Sequence, residues 1–205
     1  MTTEERTPVP MVGRADLLER AMNYTLGSLH LISTAAMSHP TPCAAWDLRA
    51  LLQHMSDSLA ALYEGLATGR VGLEALADTG DPAVPAVDPV GTVKNRACTL
   101  LGACASAESE QSASPDEISI ADRPLSLGMV TGTGAVEVAV HGWDVAQACG
   151  RNRPIPAGLA EELLKIVPFL VADDDRPGRF APPRWVRPLA GPGDRLVAFL
   201  GRDPD

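Results

Sequence analysis

The chain has 205 residues, of which 45% are hydrophobic and 21% are charged, a composition that is ordinary for one globular domain. Its formal net charge of −9 disfavours non-specific binding to nucleic acid, since neutralising phosphates requires clustered Lys and Arg. No apolar run approaches the length of a membrane span and no basic, apolar leader opens the chain, so we expect neither a membrane span nor a signal peptide, and a cytoplasmic location.

The chain begins with a segment unlike the rest. Residues 1–12 are polar and contain prolines, and we expect them to form a flexible arm ahead of a single domain over residues 13–205. Apolar residues at helical spacing then predict a first helix over about residues 15–36.

Two further helices are marked by their capping residues. Asp47 is a predicted N-cap for a second helix that ends near Gly69. Asp88 followed by Pro89 predicts the start of a third helix that reaches about residue 108. The segment 78–89, rich in Asp, Pro and Gly, is predicted to be a linker.

The second half of the chain continues the helical pattern after one extended stretch. Few strand signals against four long amphipathic helices indicate an all-α bundle. The predicted elements are an extended segment over about 118–127, a helix over about 129–149 with Gly150 as its C′ residue, a helix from Pro156 to about Val171, an extended proline-rich stretch over 180–189, and a short final helix over 192–200.

The spacing of the cysteines matches neither a zinc finger nor a redox-active C-x-x-C motif. None forms a C-x-x-C pair, and in a cytosolic chain they are expected to be reduced, small core residues. Cys43 precedes a helix start, where thiols become more reactive, but a catalytic role for it is the less favoured interpretation. The four are Cys43, Cys98, Cys104 and Cys149.

The predicted fourth helix carries two polar side chains on an otherwise apolar surface. Glu137 and His141 are four residues apart, so they lie on one stripe of the helix, one turn apart. Such residues are seldom buried without a partner. They could bind one divalent metal together, or simply hydrogen-bond each other in the core, and this segment alone does not decide between the two.

His54 is the candidate for a third ligand. It lies in the predicted second helix, at the margin of the apolar stripe and directed roughly toward the core. A single histidine there is more often a core residue, but a ligand pair on another helix makes metal binding more attractive. Three protein ligands with open positions are typical of a catalytic rather than a structural metal site.

Two motifs carry a family resemblance. Taken together, they resemble the mycothiol-dependent maleylpyruvate isomerase N-terminal family of the DinB-like metalloprotein superfamily, and residues 194–204 resemble the end of its small actinobacterial members. The resemblance implies an all-α, DinB-like four-helix bundle with additional short C-terminal helices and extended segments. The motifs are Thr41-Pro-Cys-Ala-Ala-Trp-Asp-Leu-Arg-Ala-Leu-Leu-Gln-His54 and Glu137-Val-Ala-Val-His-Gly-Trp-Asp-Val-Ala146.

The resemblance also implies a site and a chemistry. It maps the metal ligands onto His54, Glu137 and His141, with Zn²⁺ as the expected metal and mycothiol as the co-substrate. The thiolate would attack an electrophilic substrate, either as an S-transferase or as an isomerase that later expels the thiol. Two other functions stay open: a thiol-independent metalloenzyme (lyase, hydrolase or cyclase) of specialised metabolism, and a non-catalytic metal-binding module.

Several residues are candidates for supporting roles. Asp144 is three residues from His141 and could accept the other N–H of a ligating histidine. Arg179 and Arg202 are weak candidates for binding a carboxylate of the substrate. Trp46 and Trp143 are expected to wedge helices together more than to wall a pocket. We expect a small-molecule substrate and no nucleic-acid or membrane partner, with a homodimer as the candidate assembly.

Overall fold

Four long helices form a bundle in which α4 packs against α1 and α2, and α3 packs against the same two helices. The computed structural model describes residues 12–43, 46–72, 88–109, 117–171, 176 and 180–204. The bundle helices are α1 (Val12–Leu29), α2 (Leu48–Thr68), α3 (Pro89–Ser109) and α4 (Leu127–Ala148). Helices α5 (Ala157–Leu170) and α6 (Pro192–Phe199) follow, and α5 packs against α4 and α6. The prediction of an all-α, DinB-like bundle with added C-terminal helices is confirmed.

The ends of α2 and α3 follow from local capping. The carboxylate of Asp47 accepts a hydrogen bond from the backbone N–H of Ala50 at 2.9 Å, and Gly69 closes α2 in the left-handed conformation with φ of 72°. Asp88 likewise accepts from the N–H of Gly91 at 2.9 Å. Both predicted helices are therefore confirmed within a residue or two.

The first helix is shorter than predicted. α1 ends at Leu29, and a separate 3₁₀ helix spans Thr34–Ser38. The apolar spacing continues across the break, but the residues between contain Ser33 and β-branched Ile32, which are weaker helix formers. The 3₁₀ helix buries Ala36, and His39 directly after it has Nδ1 2.9 Å from the carbonyl oxygen of Ala148. A tertiary contact thus replaces the last two turns of the predicted helix.

α4 is the central helix of the fold. Among its residues only Met129 and Thr133 are exposed, which confirms the prediction of a buried helix. A small residue allows α1 to approach it closely: a Cβ on Gly142 would lie 2.3 Å from Oγ1 and 3.0 Å from Cα of Thr25. Thr25 donates its hydroxyl to the carbonyl of Val138 at 2.7 Å. The helix that carries two of the candidate ligands is therefore held in a fixed position.

A small sheet covers one end of the bundle, where the sequence predicts an extended segment. Its strands are β1 (Arg70–Val71), β2 (Glu117–Ile120) and β3 (Arg123–Ser126), with β2 parallel to β1 and antiparallel to β3. Ile118 is fully buried and reaches Gly65 of α2.

Some of the remaining predictions are confirmed, and others concern residues that the structure does not describe. The stretch 180–189 contains no helix or strand, and Trp185 in it is 79% exposed. Of the predicted arm over 1–12, residues 1–11 lie outside the described residues and Val12 begins α1; of the predicted linker over 78–89, residues 78–87 lie outside and Pro89 begins α3. No helix in the described part of the chain combines the length and apolar character that a membrane span needs.

Candidate metal centre

The three predicted ligands come together between α2 and α4. Each of His54, Glu137 and His141 offers one ligand atom, and these atoms all lie within 4.8 Å of one another. The pair on α4 is brought together by the helical repeat, whereas His54 is added by the packing of α2 against α4. The structure thus places the predicted residues in one cluster, and metal binding itself is taken up below as a proposal.

The Nε2 atoms of His54 and His141 are both directed at one carboxylate oxygen of Glu137. Nε2 of His54 lies 2.5 Å from Oε1 of Glu137, and Nε2 of His141 lies 3.2 Å from that oxygen. The two rings meet edge to face with centroids 5.1 Å apart. The donor atoms therefore converge on one small volume rather than pairing off separately.

The cluster is buried on one side and open on the other. The side chain of His141 is 8% exposed, while those of His54 and Glu137 are 34% and 37% exposed. Behind the cluster lies a cavity of only about 10 Å³, which accommodates at most about one water molecule and is lined mainly by apolar side chains, including those of Met22 and Met55. A molecule that reaches the ligand atoms must therefore approach from the open side, past His54 and Glu137.

Proximity of opposite charges shapes the electrostatics of the cluster. Burial by itself would raise the pKa of Glu137, but hydrogen bonds with His141 and His54 outweigh it and lower the pKa. Burial would lower the pKa of His141, but its hydrogen bonds with Asp144, Cys43 and Glu137 raise the pKa well above the ordinary value. Without a metal, a proton on His141 thus supplies the positive charge that the surrounding carboxylates favour.

Asp144 supports His141 from behind, as the sequence suggested. Its Oδ2 lies 2.9 Å from Nδ1 of His141, and its side chain is fully buried. A carboxylate at this position keeps a hydrogen on Nδ1, so that, when the ring is neutral, Nε2 carries the lone pair that a metal would need. Asp57 on α2 has a different partner, since its Oδ1 lies 3.3 Å from a guanidinium nitrogen of Arg96.

The guanidinium of Arg202 is hydrogen-bonded within the protein. Its Nε donates to Oδ1 of Asp144 at 3.0 Å, and its NH2 group donates to Oδ2 at 2.8 Å. A third nitrogen donates to the carbonyl of Leu200 at 3.2 Å, and the side chain is 11% exposed. The guanidinium of Arg202 thus forms a buried ion pair with Asp144, and a contact between Arg202 and a substrate stays a prediction. Arg179 lies outside the described residues.

Cys43 belongs to the same cluster, which sequence reasoning underrated. Its Sγ lies 3.4 Å from Oδ2 of Asp144, 3.2 Å from a guanidinium nitrogen of Arg202 and 3.9 Å from Nδ1 of His141. The atoms of Cys43, His141 and Asp144 form a second group with metal-ligand spacing, but here the guanidinium supplies the cation. The available signal was the position of Cys43 three residues before Trp46 in the first family motif.

The two tryptophans differ in their roles. Trp143 is 4% exposed and packs in the core, as predicted. The ring of Trp46 instead lies 4.5 Å from that of His54 and 6.2 Å from that of His141, centroid to centroid. Trp46 therefore walls the candidate site, which corrects the expectation that it mainly wedges helices. Its loop is held by the hydroxyl of Thr41, which donates to the carbonyl of Trp46 at 2.9 Å.

Comparison with known proteins identifies relatives of the chain. Residues 18–146 match the family model for the mycothiol maleylpyruvate isomerase N-terminal domain. Two uncharacterized proteins from Mycobacterium tuberculosis, of strains CDC 1551 and H37Rv, are each 29% identical over 191 residues, covering 90% of this chain and 94% of theirs.

The same family appears among solved structures. The crystal structure of the mycothiol-dependent maleylpyruvate isomerase superposes with a TM-score of 0.56 at 19% identity, covering 78% of this chain and 68% of that one. That likeness establishes the shared fold. The family model spans more than half of the chain and includes His54, Glu137 and His141. The chain belongs to the mycothiol maleylpyruvate isomerase N-terminal domain family.

Proposed function

We propose that this protein is a metal-dependent enzyme that uses mycothiol, or a related small thiol, to modify a small electrophilic substrate. The observation that carries the proposal is the convergence of His54, Glu137 and His141, whose donor atoms lie within 4.8 Å of one another. Family membership supports the thiol, since the related enzyme of known structure is described as mycothiol-dependent. Zn²⁺ is the proposed metal.

The donor set fits such a metal. Two imidazole nitrogens and one carboxylate oxygen are ligands that Zn²⁺ accepts, and three protein ligands leave further positions for a substrate. When bound, a divalent cation here would supply Lewis acidity, which lowers the pKa of a thiol that reaches it. The ligands are also supported from outside, because Asp144 holds Nδ1 of His141.

The surrounding residues would govern access and orientation. His54 and Glu137 face the open side, where thiol and substrate must enter. The ring of Trp46 lies against one side of the His54 ring, with centroids 4.5 Å apart, so access to that ligand is from the remaining exposed side. The closely packed core behind the cluster leaves no room for a substrate there. The reacting groups would therefore meet at the outer rim of the bundle.

An assay of mycothiol-dependent turnover tests the proposal. Zinc-loaded protein is incubated with a panel of epoxides, quinones and unsaturated acids, with and without mycothiol, and conversion of the electrophile and loss of the thiol are both followed against a protein-free blank. We expect mycothiol-dependent conversion of at least one electrophile, and loss of this activity in Glu137→Ala, which removes a ligand. Product analysis separates the two reactions, because the product of S-transfer retains the thiol whereas isomerisation releases it unchanged.

Other outcomes would identify the alternatives. Metal-loaded protein that never accelerates thiol loss, but converts substrates without it, would indicate a thiol-independent metalloenzyme. Metal binding without any turnover would favour a non-catalytic module. We also propose a cytoplasmic location, which is consistent with membership of the mycothiol-linked family.

A further inference from the structure

The C-terminal segment reaches the candidate metal centre through one side chain. Arg202 follows α6 and lies 58 residues beyond Asp144 in the chain. Its guanidinium donates hydrogen bonds to both carboxylate oxygens of Asp144, with Nε 3.0 Å from Oδ1 and NH2 2.8 Å from Oδ2. Such a two-point contact sets the plane of the carboxylate as well as its distance.

The oxygen that Arg202 holds also faces the histidine. Oδ2 of Asp144 lies 2.8 Å from the guanidinium and 2.9 Å from Nδ1 of His141. The opposite nitrogen of His141 lies 3.2 Å from Oε1 of Glu137, at the convergence point of the candidate ligands. An unbroken series of contacts thus runs from Arg202 through Asp144 to the ligand cluster.

A specific backbone turn delivers the guanidinium. Gly201 has φ of +85°, and a Cβ there would lie 2.6 Å from the carbonyl oxygen of Ala181, so only glycine fits. The N–H of Arg202 then donates to the carbonyl of Val197 at 3.0 Å, and its NH1 donates to the carbonyl of Leu200 at 3.2 Å. These contacts turn the side chain inward, where it is only 11% exposed.

We propose that Arg202 is a positioning residue for the metal centre, acting on His141 through Asp144. This inference rests on the proposed metal dependence. By fixing the plane of the buried carboxylate, Arg202 keeps Oδ2 as the acceptor for Nδ1–H of His141, and so keeps Nε2 directed at Glu137 and His54. The C-terminal turn is then part of the metal centre, although none of its residues belongs to the ligand cluster.

Zinc affinity measured by competition with a chromogenic chelator tests this directly. Asp144→Asn should weaken Zn²⁺ binding by about 10–100-fold, the usual effect of removing such a supporting carboxylate. Arg202→Gln should also weaken it, and the double variant should bind no more weakly than Asp144→Asn alone, because both changes interrupt one series of contacts. Arg202→Lys should fall between wild type and Arg202→Gln, since it keeps the charge but loses the fork.

Arg195 provides the matched control. It is an exposed arginine of α6, so Arg195→Gln removes the same charge from the same region and should leave Zn²⁺ affinity unchanged. Circular dichroism and thermal melts show whether each variant is folded. If Arg202→Gln does not fold, Arg202→Lys carries the comparison alone.

The outcomes separate this inference from the proposed function. A wild type that binds no divalent metal overturns both. A wild type that binds Zn²⁺ while folded Arg202→Gln or Arg202→Lys binds equally well overturns only the role of Arg202. Strictly additive losses in the double variant would also overturn it, because they would mean that Arg202 acts independently of Asp144. Failure of the thiol assay leaves the affinity result standing.

Discussion

The indole of Trp46 lies over the imidazole of His54, with ring centroids 4.5 Å apart and planes inclined by 38°. Trp46 sits in the loop before α2 and His54 two turns into that helix, so the contact belongs to one local unit. Because His54 is a candidate metal ligand, the environment of the indole should change when a metal binds. Trp46 is therefore a natural optical reporter of the site.

Trp46→Phe should remove most of the change in tryptophan fluorescence that accompanies addition of Zn²⁺. Of the other two tryptophans, Trp143 is buried and has no ring contact with the ligands described, and Trp185 is 79% exposed. Titration of wild type, Trp46→Phe and Trp185→Phe with Zn²⁺ makes the comparison. A response that survives in Trp46→Phe but vanishes in Trp185→Phe would contradict the placement of the site.

His54→Ala should remove most of the bound metal and leave the helical fold intact. The side chain of His54 is 34% exposed and lies at the rim of the bundle, so its removal opens little space in the core. Elemental analysis of purified protein gives the metal content, and far-ultraviolet circular dichroism gives the helicity. His30→Ala, at an exposed position, is the control and should keep full metal content. Unchanged stoichiometry in His54→Ala would show that the ligand assignment is wrong.

Metal affinity should rise with pH. In the metal-free protein, contacts with carboxylates raise the pKa of His141 well above its ordinary value, although burial opposes this. A metal needs the neutral ring, so below that raised pKa each ion must displace a proton, and affinity should increase about tenfold per pH unit for one proton. Above the pKa this dependence should flatten.

Calorimetry in buffers of different ionisation enthalpy measures the protons released. Asp144→Asn removes the main contact that raises the pKa of His141, so the rising part of the pH profile should move to lower pH. Affinity that is independent of pH from 5 to 9, or no proton release at neutral pH, would argue against His141 as a ligand.

Gly142→Ala should destabilise the fold by about 1–3 kcal/mol, the usual cost of overpacking. The added methyl would meet Oγ1 of Thr25 at 2.3 Å and its Cα at 3.0 Å, so α1 must move away from α4. Urea unfolding measures the change. The control is Gly102→Ala in α3, where a Cβ meets nothing within 4 Å and the replacement should stabilise the helix by about 0.5–1 kcal/mol. Equal stability of Gly142→Ala and wild type would count against the close approach of α1 and α4.

Cys43→Ser should retain metal and most of the thiol-consuming activity. Its Sγ touches Asp144 and Arg202, and a serine hydroxyl can make the same contacts. The nucleophile in the proposed reaction comes from the external thiol, so the protein's own sulfur is not consumed. Activity and metal content are measured on the same preparation. Full metal content with complete loss of activity would instead identify Cys43 as the nucleophile.

Local sequence determined the helices and one part of the site. Asp47 and Gly69 delimit α2 because capping depends on residues adjacent in the chain. The spacing of Glu137 and His141 placed them on one stripe of α4 because the helical repeat is regular. Where a helix boundary depends on distant contacts, as at the end of α1, local patterns misled.

Only the tertiary structure decided which distant residues meet at the site. The packing of α2 against α4 adds His54 to the pair on α4, and the turn after α6 brings Arg202 to Asp144, 58 residues away. Helical propensity and capping carry no information about such contacts, because they arise from how whole helices pack. The same packing makes Trp46, an expected helix wedge, a wall of the site, and it pairs Arg202 with the buried carboxylate of Asp144.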